Sequence, residues 1–173
     1  MNKKDILSYI IIIIVVVLIR TFIITLVKVD GTSMNPTLND KDLLILKKYD
    51  KSIERFDIVV VKYNKLKLVK RVIGLPGEKI KITSTKVGNN VSSTIYINGE
   101  KLEENYGIEN IRPEYVGLAK EEITLASDEY FVIGDNRNNS SDSRIIGPIK
   151  KKDIKGITTT RIFPLTKFGK IDK

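Results

Sequence analysis

Between Ile6 and Val27 the chain reads ILSYIIIIIVVVLIRTFIITLV, 22 residues in which Arg20 is the only charge. As a helix rising 1.5 Å per residue this is roughly 33 Å long, enough to cross a hydrocarbon core of about 30 Å. An arginine at mid-bilayer costs about 2.5–3.5 kcal/mol on insertion scales, but Arg20 lies toward one end, where its long side chain reaches the interface. Ile10–Ile19 is apolar on every side, so no amphipathic period marks it as a helix packed on a soluble core. Arg20-Thr21-Phe22-Ile23-Ile24 supply none of the small residues that a cleaved leader needs after its apolar region. The run is expected to be an uncleaved membrane anchor. Lys3 and Lys4 precede it, and Lys28 and Asp30 follow, a small bias toward an N-terminus inside and the bulk of the chain outside. Residues 1–28 are therefore expected to form a cytoplasmic N-terminus and anchor in the cytoplasmic membrane, and residues 29–173 an extracytoplasmic domain.

The chain has 173 residues, 42% hydrophobic and 29% charged, a composition that can bury a core and argues against disorder. Thirty basic residues against 21 acidic give a net charge of +9, six of which remain in residues 29–173. There the signs interleave, and a lysine-rich surface near anionic lipid explains the excess as well as DNA does. No nucleic-acid reader motif accompanies the charge, so no nucleic-acid partner is expected. The chain contains no cysteine and no histidine. A disulfide framework, a Ser-His-Asp triad, a Cys-His protease site and a His- or Cys-ligated zinc are thereby excluded. No metal or cofactor is expected, and any serine nucleophile must take its base from a lysine or a carboxylate.

Beyond Lys28 the pattern is that of strands. Leu43–Leu46, Ile58–Val61, Ile80–Thr83 and Tyr130–Ile133 are short, aliphatic or β-branched, and bounded by polar turns. Asn98-Gly99 between Ile95-Tyr96-Ile97 and Glu100-Lys101-Leu102 predicts a hairpin, since both residues tolerate positive φ. Pro76-Gly77 closes a further strand. Residues 103–121 are polar and aperiodic and are expected to be a surface excursion. The fold class expected is mainly β: an antiparallel β domain on one N-terminal transmembrane helix.

In Lys65-Leu66-Lys67-Leu68-Val69-Lys70-Arg71-Val72 alternate side chains share a face, so Lys70 joins Leu66, Leu68 and Val72 as the one charge on an aliphatic face. Burial disfavours the ammonium, and a lysine near neutral at pH 8 must fall about two pH units from 10.4, roughly 3 kcal/mol. A neutral amine can take a proton from a serine hydroxyl. Periodicity alone is also satisfied, and more simply, by a lysine snorkelling from a strand edge. Gly31-Thr32-Ser33-Met34-Asn35-Pro36-Thr37 is by itself a turn sequence. What raises Ser33 is its place where the anchor gives way to the β domain. Gly134–Arg144, Gly-Asp-Asn-Arg-Asn-Asn-Ser-Ser-Asp-Ser-Arg, has no aliphatic side chain. It is either a solvated turn or a rigid polar network behind a site.

Taken together these segments resemble the bacterial type I signal peptidases, membrane-anchored serine endopeptidases with a Ser/Lys dyad. The resemblance runs from the anchor through Gly31–Thr37, Phe56-Asp57-Ile58-Val59-Val60, Lys70-Arg71-Val72-Ile73-Gly74-Leu75-Pro76-Gly77, Ile97-Asn98-Gly99 and Gly134–Arg144, in order and over nearly the whole chain. It implies Ser33 as nucleophile, Lys70 as general base, and Ser140 as a hydrogen-bond partner orienting the Lys70 amine. It implies a supporting charge network of Asp142 with Arg144 and of Asp135 with Arg71, and the Ser33 N–H as an oxyanion donor. Some members carry a serine two residues before the nucleophile as a second donor; Gly31 stands there in this chain. Phe56 replaces a common glycine, a matter of packing. The implied activity is removal of signal peptides from exported preproteins, cutting after small residues at −1 and −3. Met34, Leu38, Leu68 and Val69 flank the dyad and are candidates to line the shallow pockets this requires. Implied partners are signal peptides, membrane lipid and the secretion machinery. A self-cleaving repressor-type Ser/Lys protease is opposed by the anchor and the lack of a helix-turn-helix. A membrane-anchored β scaffold without catalysis is opposed by an unbroken set of Ser33, Lys70, Ser140 and Asp142.

Overall fold

The apolar run divides in two. In the computed structural model, which describes residues 2–48, 52–87, 90–104, 106 and 108–171, helix α1 (Lys3–Leu18) passes into a π-helical segment, Ile19–Ile23, and the backbone becomes extended at Ile24. Helix was expected as far as Val27. Instead Ile24–Lys28 form strand β1, antiparallel to β2 (Leu43–Lys47) with Leu26 opposite Ile45. The reason is local and tertiary together: Ile24 and Thr25 are β-branched, and pairing with β2 lets Val27 be buried. The helical segment therefore ends at Ile23, five residues before the expected boundary at residue 28. Lys3–Ile23 retain 21 residues with none buried, roughly 31 Å, still long enough to span a bilayer. Lys48 Nζ donates to the carbonyls of Arg20 and Thr21, 3.1 Å each, satisfying acceptors left free where the helix stops.

The remaining strands are β3 (Ile58–Tyr63), β4 (Leu66–Gly74), β5 (Lys79–Val87), β6 (Asn90–Ile97), β7 (Glu100–Lys101), β8 (Ile123–Thr124), β9 (Glu129–Ile133), β10 (Ile149–Lys150), β11 (Ile154–Phe163) and β12 (Gly169–Lys170). One sheet has the order β1-β2-β11-β3-β4-β9-β10, with β12 added to β11; a second has the order β7-β6-β5-β8. The pairings are antiparallel, as expected for the fold class. Asn98 and Gly99, both at positive φ, make the expected turn between β6 and β7.

Strand β3 is central because both its faces are buried. Ile58 and Val60 join Val27, Met34, Leu38, Leu44 and Val69 in one cluster, while Val59 and Val61 join Val72, Val132, Ile149 and Ile157 in another. A strand covered on both sides reads as an unbroken apolar run, as Ile58–Val61 does. A third cluster, built on Ile73, Ile80, Ile82, Ile95, Phe131 and Ile133, ties the smaller sheet to β4 and β9. Residues 103–121 were expected to be a purely superficial excursion. Residues 105 and 107 lie outside the described residues, but Ile111, Val116 and Ala119 are buried in that third cluster. Isolated apolar residues give no period in the sequence, yet each plugs the core from a loop and two 3₁₀ turns, Pro113–Tyr115 and Gly117–Lys120.

Candidate active site

Ser33 sits on the turn linking β1 to β2, and the turn is fixed from below. Met34 and Leu38 are buried, and Leu38 N–H donates to the Met34 carbonyl at 2.9 Å. Gly31, at φ 91°, donates its N–H to Asp40 Oδ1 at 2.8 Å. From β11, Arg161 Nη1 reaches Asp42 Oδ2 at 2.6 Å and the Thr37 carbonyl at 3.3 Å, tying both ends of the segment to the sheet. Ser33 itself stays half-buried, and among the described residues its N–H has no hydrogen-bond partner.

Lys70 comes from the middle of β4, opposite Val59 of β3, and only 2% of its surface is exposed. Leu66 at the open end of the strand is exposed and Leu68 half-buried, so the aliphatic face expected around Lys70 is apolar only from Leu68 inward, to the buried Val72. Lys70 Nζ lies 2.6 Å from Ser33 Oγ. Burial lowers the ammonium's pKa, the Asp142 charge pulls it back up, Arg144 lowers it again and Asp135 raises it; the balance pushes it from 10.5 down to about 8. Near that pH a large fraction of the amine is neutral and can accept a proton from the hydroxyl it lies against.

Gly134–Arg144 is a network rather than a solvated turn. Asp142 accepts from Arg144 Nε at 2.8 Å and Nη2 at 2.7 Å and from the Gly134 N–H at 3.0 Å, with carboxylate and guanidinium both buried. Burial alone would raise the Asp142 carboxyl, but the Arg144 hydrogen bonds and charge, with the Gly134 N–H, outweigh it and hold it below the ordinary range. Arg144 Nη1 also binds the carbonyls of Tyr115 and Arg137, and Asp142 caps the one-turn helix α2 (Ser143–Ile146). Asp135 is held by Arg71 Nε at 2.9 Å and Nη2 at 2.8 Å, both side chains without exposed surface. Both expected charge pairs are thus formed.

Ser140 is different. The resemblance assigns it to the Lys70 amine, yet among the described residues its buried Oγ has no hydrogen-bond partner, and the amine is directed at Ser33 instead. Ser140 does stand in the site: a Cβ placed on Gly134 would fall 2.2 Å from Ser140 Oγ and 2.4 Å from the Ser33 carbonyl oxygen. Of the four candidate pocket residues, Met34, Leu38 and Val69 meet in one buried cluster on the Ser33 side, whereas Leu68 packs against the cluster that holds Val72.

Several contributors escaped the sequence analysis. Thr37 donates its hydroxyl to Asp135 Oδ2 at 2.5 Å, joining the Ser33 turn to the Arg71 pair. Asn136 and Asn139 bind the same turn through Ser33 and Thr32. Tyr106 lies under the Arg71 guanidinium, 4.0 Å from the ring centre, and its hydroxyl donates to Glu104, which pairs with Arg137 at 2.5 Å. Thr37, Asn136 and Asn139 stand inside the quoted motifs, so that signal was present; nothing local pointed to Tyr106.

The family of signal peptidases, peptidase S26, matches over residues 3–163. The signal peptidase I of Bacillus licheniformis is 36% identical, over 99% of this chain and 96% of that protein. Signal peptidase I S of Bacillus subtilis is 33% identical, over 98% and 95%. A crystal structure of a signal peptidase I from Enterococcus faecalis is 30% identical, covering 61% of this chain and 96% of that one, with a TM-score of 0.45. A match that runs from the anchor to β11, with relatives a third identical along nearly the whole chain, makes this protein a member of the signal peptidase I family, the membrane-anchored serine endopeptidases that remove signal peptides.

Proposed function

We propose that Ser33 and Lys70 are the catalytic dyad, a reading carried by the 2.6 Å contact between Ser33 Oγ and a lysine whose pKa is pushed down to about 8. Ser33 Oγ attacks the scissile carbonyl while its proton passes to the neutral Lys70 amine. The resulting oxyanion lies against the unpartnered Ser33 N–H. The Lys70 ammonium then gives its proton to the departing amine as the C–N bond breaks, leaving an acyl-serine. Lys70, neutral again, takes a proton from the water that hydrolyses the ester, and returns it to Ser33 Oγ. Asp142 with Arg144 and Asp135 with Arg71 hold the walls of the site, and Ser140 packs close to Gly134 behind the Ser33 turn. With Gly31 two residues before Ser33, a second oxyanion donor must come from backbone or solvent.

The substrates are exported preproteins with small residues at −1 and −3. Residues 2–23 anchor the chain in the cytoplasmic membrane with the N-terminus inside, and the β domain works on the outer face, where signal peptides emerge from the secretion machinery. Full-length protein in detergent micelles, incubated with a preprotein bearing an Ala-x-Ala site, should release a mature fragment of the mass set by that cut. Ser33→Ala should release none; cleavage by that variant near the wild-type rate would remove Ser33 from the mechanism. Protease added to intact spheroplasts should digest the β domain, and full protection would reverse the orientation.

A further inference from the structure

One peptide plane at the site carries the oxyanion donor, and its other end is held from outside the nucleophile turn. The Thr32 carbonyl and the Ser33 N–H belong to a single planar amide, so whatever fixes the oxygen also aims the hydrogen. The Thr32 oxygen accepts two hydrogen bonds: one from the Asn35 N–H at 3.1 Å, within the turn, and one from Asn136 Nδ2 at 3.1 Å. Because a carbonyl can only accept, the Asn136 amide must present its nitrogen there, which settles its orientation. The backbone N–H of the same Asn136 donates to the Ser33 carbonyl at 3.0 Å, fixing the next peptide plane as well. Asn139 Nδ2 adds a bond to Thr32 Oγ1 at 3.3 Å. The loop can approach this closely because residue 134 is glycine, with the Ser33 oxygen 2.4 Å from where a Cβ would stand.

We infer that Asn136 is a positioning residue for the oxyanion donor: its side-chain amide locks and polarises the Thr32–Ser33 peptide so that the Ser33 N–H meets the developing negative charge. This rests on the Ser33/Lys70 reading above. A donor on the carbonyl end draws electron density from the N–H end, and the plane is fixed before substrate arrives, so no reorganisation is needed in the transition state. Asn136 makes no hydrogen bond to Lys70 among the described residues, so its loss removes none of the base's own partners.

The test uses full-length protein in detergent micelles with Asn136→Ala and the isosteric Asn136→Asp, both of which keep the backbone bond to Ser33. Asn136→Ala should lose about tenfold in kcat, the worth of one hydrogen bond. KM, the apparent pKa of kcat/KM and the melting temperature should be unchanged. Affinity for an Ala-x-Ala peptide aldehyde, whose adduct on Ser33 mimics the tetrahedral oxyanion, should fall by the same factor, while affinity for the released signal peptide should not. Asn136→Asp, an acceptor facing a carbonyl, should be slower than Asn136→Ala. Wild-type kcat and aldehyde affinity in Asn136→Ala would overturn the inference and leave the dyad standing. So would equal losses of aldehyde and product affinity with a lowered melting temperature, which mark a merely structural role. Full activity in Ser33→Ala would overturn the dyad and this inference together.

Discussion

Replacing Lys70 by methionine should abolish cleavage and stabilise the fold. The two effects have one cause. An ammonium pushed from 10.5 to about 8 by burial costs the folded protein about 3 kcal/mol at pH 7, where the unfolded chain carries it in water. The folded pKa lies below the unfolded one, so between about pH 8 and 10.5 the unfolded chain binds more protons and wild-type stability rises with pH. Methionine has similar length and no charge, and it gives up only the contact to Ser33 Oγ, about 1 kcal/mol. The net expectation is a variant about 2 kcal/mol more stable than wild type at pH 7 and about 1 kcal/mol less stable near pH 11, where the amine is neutral in both states. Urea unfolding of the full-length proteins in matched micelles at the two pH values measures this. A stability difference that stays constant with pH, or a variant less stable than wild type at pH 7, would refute the claim that burial is what depresses Lys70.

Gly134→Ala should lose at least tenfold in activity, because the new Cβ meets the Ser33 carbonyl at 2.4 Å and Ser140 Oγ at 2.2 Å, and backbone cannot give way without moving the nucleophile; steady-state kinetics beside a melting curve will separate this from unfolding. Asp142→Ala leaves Arg144 buried without its partner and should cost about 3–5 kcal/mol together with activity. In the unaltered protein the Asp142 contribution is present above the ordinary carboxylate range and is lost as pH falls through its lowered folded pKa, so the gap between the two proteins in acid-unfolding curves should close at low pH. Ser140→Ala removes a hydroxyl with no hydrogen bond to lose and should lower activity while melting like wild type.

The sequence made the β3 and β4 strands and the Asn98-Gly99 turn legible for a physical reason: each is written in adjacent residues, whereas the pairing of Lys70 with Ser33, 37 residues apart, was legible only through the family resemblance. Ile58–Val61 is continuous because β3 is covered on both faces, and Lys70 stands out because its neighbours at spacing two are aliphatic. What remained hidden depends on partners far along the chain. Ile24–Val27 is as apolar as the anchor before it, and only β2, some 20 residues on, turns it into strand. Ile111 and Ala119 bury themselves from a polar segment with no period to betray them. Thr37 reads as an ordinary turn residue until Asp135 is folded against it, and Tyr106 acquires a role only once Arg71 lies over its ring.

The central claim, that a depressed lysine activates Ser33, is tested most directly by the pH dependence of kcat/KM for an Ala-x-Ala preprotein, measured with full-length protein between pH 6 and 10. The rate should rise tenfold per pH unit at the acid end and level off through an apparent pKa near 8, as neutral Lys70 accumulates. A profile flat across that range, or one still climbing at pH 10, would contradict the assignment of Lys70 as the base.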